Sequence, residues 1–234
     1  MQNVQELEII YNDEHIVVAN KPGGLLAVPG RGPDKQDCLT RRLRARFPKM
    51  IVQPAVHRLD MCTSGLMVCA IDKASHRNLC SQFMQRRVKK RYLAVLEGTT
   101  TETKGEINLA LRLDPDNRPL QVHDPIQGKE GITRWRKLAE KAGRTLVEFT
   151  PITGRTHQLR LHSAHAQGLG MPIVGDSLYG RGKDGEPMLL HAFSICFGHP
   201  STGKLCHFTV QPPHHWNTIL GACPLLFQPD TSAF

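Results

Sequence analysis

Short apolar runs broken by turn residues dominate the chain. Leu7 to Tyr11 and His15 to Ala19 flank Asn12-Asp13-Glu14, the pattern of a β-hairpin, and Asn20-Lys21-Pro22-Gly23-Gly24 breaks the second run. Behind Asp37, a residue suited to an N-cap, Leu39, Leu43 and Phe47 recur every four positions and predict a short helix that stops at Pro48. Leu66 to Ile71 is a continuous apolar run of strand length, with Ser64-Gly65 reading as a turn before it. Asp72 can cap a second helix with Leu79, Cys80, Phe83 and Met84 on its buried side. Tyr92 to Leu96, Gly105 to Leu111, Gly131 to Leu138 and Thr145 to Pro151 predict further strands; Asp114 to Arg118 and Glu140 to Gly143 read as turns. A third helix opens near Gln158 with Leu159, His162 and Ala166 on one face, to be ended by Gly168 or Gly170. Lys204 to Val210 reads as the last strand, and the tail beyond Pro212 as poorly ordered. Many strands with few helices between them favour an antiparallel or mixed sheet, an α+β class, over a doubly wound one.

The composition narrows the partners. The chain has 234 residues, 40% of them hydrophobic, enough for a packed core. Lys and Arg number 30 against 21 Asp and Glu, a net charge of +9 that favours nucleic acid or another anionic surface. The plain alternative is a merely basic soluble protein. The seven cysteines are odd in number and form no Cys-x-x-Cys, which argues against a disulfide framework or a zinc ribbon and for reduced thiols in the cytoplasm. Met1 to Glu8 carries no apolar signal segment, and no run approaches the roughly 20 residues of a membrane span. The expectation is a cytoplasmic monomer.

Three stretches carry candidate chemistry. His57-Arg58-Leu59-Asp60-Met61-Cys62-Thr63-Ser64-Gly65 holds one acid among polar and small residues, right before an apolar run. It reads as a loop that delivers the Asp60 carboxylate to the surface, with Arg58 on the same side if the loop is extended. Arg86-Arg87-Val88-Lys89-Lys90-Arg91 leads straight into Tyr92 on a strand. The bases could grip phosphates while the ring faces a nucleobase; the alternative is a positive helix end and a core tyrosine. Thr153-Gly154-Arg155-Thr156-His157-Gln158-Leu159-Arg160 opens the third helix. A metal held by His157, His162 and His165 is disfavoured, because spacings of five and three do not match a helical zinc pair and no acid lies in that stretch.

His-Arg-Leu-Asp-x-x-Thr-Ser-Gly resembles the signature of the RluA family of pseudouridine synthases. Other blocks follow in the family order: Asn20-Lys21-Pro22 with Val28-Pro29-Gly30, the basic run before Tyr92, Thr153 to Arg160, Ile173 to Gly180, and Leu189 to Ala192. The resemblance covers about residues 7 to 210 and is closest to the short members that lack an N-terminal S4 domain. It implies a catalytic domain over residues 1–215, a tail over 216–234, and a mostly antiparallel mixed sheet in two lobes around a cleft. It implies Asp60 as the catalytic residue, paired with Arg155, and Tyr92 in the active site. It also implies Arg58, Lys21, Arg86, Arg87, Lys89 and Lys90 as RNA contacts, with Leu190 and His57 in the pocket. The partner is rRNA, a tRNA anticodon stem-loop, or both. Two departures stand out: Met171 replaces the usual His before Pro172, and Ala164 to Gly170 is longer than usual.

Turning uridine into pseudouridine consumes no electron, group or water, so no cofactor or metal is demanded. Asp60 could attack C1′ or take the C2′ proton; both need it ionised. Two other readings compete. A glycosidase or nucleosidase would need a second catalytic carboxylate. A non-catalytic RNA-binding protein on the same scaffold would be expected to lack Asp60, Tyr92 or Arg155. An aspartic protease is excluded, because no Asp-Thr-Gly or Asp-Ser-Gly occurs.

Overall fold

The computed structural model describes residues 7–216. Its strands are β1 (Glu8–Asn12), β2 (Ile16–Lys21), β3 (Ser64–Ala70), β4 (Lys89–Glu97), β5 (Lys104–Leu113), β6 (Gln121–His123), β7 (Lys129–Lys141), β8 (Arg144–Pro151), β9 (Leu190–Gly198) and β10 (Leu205–Thr209). The helices are α1 (Leu39–Arg46), α2 (Lys73–Met84) and α3 (Gln158–Ala164). One sheet runs β1-β2-β3-β9-β4-β8-β7-β5-β6, and β10 also pairs with β9. β3 meets β9 in parallel over Ser64–His191 and Gly65–Ala192 alone. The other strand pairings are antiparallel, so the sheet is mixed and mostly antiparallel, as the strand count implied.

The two faces of β2 and β3 explain their unbroken apolar sequences. Val17, Ala19, Met67 and Cys69 face one core with Leu39 and Leu43 of α1. Ile16, Val18, Leu66, Val68 and Ala70 face another with Leu79 of α2. A strand covered on both sides needs apolar residues at every position. Further along the sheet, Ala94, Leu96, Val147 and Phe149 pack under Leu159 and Leu161 of α3. Tyr92 touches both the α1 core and the α3 core, which places it at the seam between lobes.

Several sequence expectations shift. Asp72 does cap α2, accepting from the Ala74 and Ser75 N–H groups at 2.8 and 2.9 Å. Asp37 does not cap α1; Cys38 occupies that position, and the Asp37 carboxylate bonds Arg42 instead. Met84 is not on the buried side of α2 but 79% exposed, because five residues past Leu79 is the far side of a helix. Ser64 and Gly65 belong to β3 rather than to a turn. Gly65 has φ +112°, and a Cβ there would lie 2.3 Å from the Ala192 carbonyl oxygen. The tail was expected to loosen beyond Pro212, yet Trp216 is buried against Leu93, Val95, Leu146 and Leu189. The rest of the expected tail, 217–234, lies outside the described residues. No helix among the described residues is long and apolar enough to cross a membrane.

His162 sits on α3 at full burial, and neither ring nitrogen has a hydrogen-bond partner among the described residues. Burial, helped by His123 and His165, pushes its imidazole down to about 4. The folded state therefore binds fewer protons than the unfolded one between pH 6.5 and 4. Its contribution to stability is full above pH 6.5 and is lost as the pH falls, by on the order of 3 kcal/mol. Replacement by Leu should flatten denaturant-measured stability across that window; an unchanged slope would show that His162 is not the group responsible.

Candidate active site

The loop from Pro54 to Thr63 crosses the mouth of a cleft of about 580 Å³, a size suited to one nucleotide. Three anchors fix the loop. His57 stacks on Phe83 with centroids 4.6 Å apart, and its Nε2 accepts the Val68 N–H at 3.0 Å. Burial, then the Lys90 charge, pushes His57 down to about 3, so it stays neutral and can accept. Gly24 N–H bonds the Met61 carbonyl, and Thr63 N–H bonds the Asp60 carbonyl. The third anchor is Lys21, which is fully buried. Its Nζ donates to the carbonyls of Pro22, Leu25 and Met61 at 2.8, 2.8 and 3.0 Å. Lys21 was expected to touch RNA; it instead ties the first block of the chain to the residue after Asp60. Burial pushes its ammonium down to about 7, against the raising effect of Cys62 and Asp60.

Asp60 is the one carboxylate among the described residues lining the cleft. Its Oδ2 lies 3.9 Å from Nη1 of Arg160 and 3.9 Å from Nε2 of His157. Arg160 is held from behind: its Nε and Nη2 donate to Asp176 at 2.8 and 2.6 Å, which leaves Nη1 for Asp60. Asp176 is completely buried and also accepts from the Leu178 and Tyr179 N–H groups. Burial alone would raise its carboxyl; the Arg160 fork and those N–H groups hold it below the ordinary value.

This corrects the pairing expected for Arg155. Arg155 lies on the exposed loop before α3, and its Nε donates to the Glu130 carbonyl at 2.9 Å. It lines the cleft without meeting Asp60. The sequence held a usable signal: Arg160 stands between Leu159 and Leu161 on a buried helix, where an arginine must be paired. Asp176 and Tyr179 were visible only as members of the Ile173 to Gly180 block that follows the family order.

Tyr92 and Leu190 line the cleft together with Arg58. Burial and then the Asp60 charge raise the Tyr92 phenol, which keeps it protonated. The basic run before it divides. Arg86 and Lys90 line the cleft, whereas Arg87 lines a separate depression beside the turn between β9 and β10. Lys89 points to the other face of β4 from Lys90, opposite Cys196. Arg86 and His157 are two of three non-glycine residues with positive φ among the described ones, and both stand at the cleft. His157 faces Asp60, His162 is in the core, and His165 is edge-on to His123. Among the described residues no group of three His, Cys, Asp or Glu could hold a metal ion.

A family model described as RNA pseudouridylate synthase matches residues 15–165. The dual-specificity RNA pseudouridine synthase RluA of Haemophilus influenzae is 43% identical over 209 residues, which is 88% of this chain and 93% of that protein. The Escherichia coli protein of the same name is 40% identical over 206 residues, covering 86% and 91%. The chain belongs to the RluA family of RNA pseudouridine synthases. The solved human RNA pseudouridylate synthase domain containing 1 is also similar, with TM-score 0.72 at 31% identity over 91% of this chain and 86% of that one. The sheet described above is therefore the pseudouridine synthase fold, and this RluA-family protein is an isomerase acting on RNA.

Arg160→Met should cost about 3–5 kcal/mol, because it leaves Asp176 buried without its partner, and should also remove isomerisation. Arg155→Met should change stability by less than about 0.5 kcal/mol and weaken RNA binding rather than the single-turnover rate. Equal effects of the two substitutions on stability and rate would refute the assignment.

Proposed function

We propose that this enzyme converts specific uridines of structured RNA to pseudouridine through Asp60, in large-subunit rRNA, a tRNA anticodon stem-loop, or both. The observation that carries the reading is a single carboxylate among the described residues lining the cleft, faced by Arg160, which Asp176 holds from behind. The reaction breaks N1–C1′, turns the freed uracil and joins C5 to C1′; the C5 proton is given up and N1 gains one. Asp60 acts on the ribose, as a nucleophile at C1′ or as the base at C2′, and both roles start from the ionised form. Arg160 favours that form. The Tyr92 ring supports the uracil while it turns. A stacked uridine is out of reach, so it is flipped into the cleft, and the exposed Arg58 at the mouth takes the vacated place. Arg58, Arg86, Lys90 and Arg155 supply the charge for phosphates around one anion.

The glycosidase reading lacks support, since no second carboxylate among the described residues lines the cleft and Asp176, behind Arg160, is buried in a bidentate pair. A purely RNA-binding role leaves the anchored Arg160 beside Asp60 without a purpose.

Asp60→Asn should abolish pseudouridine formation while RNA binding survives, read by tritium release and filter binding; turnover above contaminating activity would sink the proposal. The basic run gives a separate test. Neutralising Arg86 and Lys90 should lower the log–log salt slope of RNA affinity by roughly 0.7 per lost contact. Neutralising Arg87 and Lys89 should move it less, and the reverse order would relocate the RNA path to the β9–β10 side.

A further inference from the structure

His157 is the residue at the cleft that the reading above leaves without work. It holds φ +52° and ψ +18° at the start of α3, a conformation few non-glycine residues adopt. That geometry turns its ring between two partners. Nδ1 lies 2.9 Å from the Tyr179 hydroxyl, and Nε2 faces Asp60 Oδ2 at 3.9 Å. Tyr179 is anchored in turn. Its oxygen accepts the Gln121 N–H at 2.7 Å, and its ring carries the Arg160 guanidinium 5.3 Å from the centroid.

The donors and acceptors of this chain can be counted. The Tyr179 oxygen already takes one proton from Gln121, and it owns one proton to give. An Nε2–H aimed at the Asp60 carboxylate is electrostatically preferred to a lone pair there. Nδ1 is then the acceptor, and the Tyr179 O–H is its donor. The two hydrogen bonds, Gln121 to Tyr179 and Tyr179 to His157, then point the same way, toward Asp60, and aligned bonds of this kind polarise one another. Burial, set against the charges of Asp60 and Asp176, lowers His157, in keeping with a neutral ring.

We propose that His157, fixed as its Nε2–H tautomer by Tyr179, is a positioning residue that holds Asp60 on line with Arg160. The two donors reach the same oxygen, Oδ2, and so leave Oδ1 as the reacting atom. The 3.9 Å separations are longer than hydrogen bonds and close when the flipped nucleotide fills the cleft, as catalytic contacts in empty sites commonly do. This inference rests on Asp60 being the reacting carboxylate.

The test uses the full chain with an RNA substrate and three variants. His157→Asn suits the left-handed backbone and can keep the Nδ1 contact with Tyr179, but it has no atom at the Nε2 place facing Asp60. Its single-turnover rate at saturating enzyme should drop about 10- to 100-fold, the worth of one hydrogen bond to a charged group, with RNA affinity unchanged. His157→Gln, whose amide can occupy the Nε2 place, should recover most of the loss. Long-range imidazole nitrogen spectra of the parent should show a neutral Nε2–H ring, and Tyr179→Phe should shift it toward Nδ1–H. A parent ring protonated on Nδ1 overturns the proposal even if no variant folds. So does a fast His157→Asn enzyme beside a dead Asp60→Asn one, or a rate loss matched by lost RNA affinity. An active Asp60→Asn enzyme would instead remove the reading of Asp60 beneath it.

Discussion

The close meeting of β3 and β9 at Gly65 and Ala192 is the constraint on which the site depends. The strands share two residue pairs, and no side chain fits between them, since a Cβ on Gly65 would overlap the Ala192 backbone. Ser64 Oγ and His191 Nδ1 close the same junction at 2.8 Å. The Asp60 loop ends at this point, and Tyr92 of β4 is in register with Ala192 of β9. The separation of carboxylate and ring is therefore set by paired backbone rather than by flexible side chains. A site built on strands in this way holds its geometry better than one built on a free loop.

Charge inside the cleft is handled by the same logic of fixing each group from behind. The Arg160–Asp176 pair is weak evidence for stability, because removing both ions from water costs about what their attraction returns. What it secures is direction: one fork of the guanidinium is taken, and the remaining nitrogen can only face Asp60. Lys21 works differently. It puts an amino group beneath the Asp60 loop, bonded to three carbonyls, so the loop is held by hydrogen bonds shielded from water.

Much of this was legible in the sequence. Alternating and continuous apolar runs located eight of the ten strands (all but β6 and β9, the latter seen only as Leu189 to Ala192), and Asp72 marked the start of α2. The Asp60 loop announced itself as an acid in a small polar stretch before a buried strand. What failed has physical causes. A three-residue strand such as β6 has no period to detect. A run of bases has no visible sidedness until the strand starts, so Arg86 and Lys90 could not be separated from Arg87 and Lys89. The resemblance implied Lys21 as an RNA contact; lysine is rarely buried, and only the fold supplies the three carbonyls that allow it. The resemblance implied Arg155 from a block that holds two arginines, and only the fold shows which is buried; burial is what makes Arg160 a fixed partner.

The division between buried and exposed cations then explains how one cleft can be both selective in chemistry and tolerant in binding. Arg160 and Lys21 are inside the protein and keep their places whatever the RNA does. Arg58, Arg86 and Arg155 are exposed on long side chains and can follow different phosphate paths. On the proposed reading, binding energy is drawn from this exposed rim, where it is screened by salt and indifferent to sequence. The barrier is lowered by the fixed interior, where geometry is shared by every substrate. Under this arrangement the rim can adapt to the RNA while Arg160 stays fixed and Asp60 makes only the short approach that closes its 3.9 Å contacts.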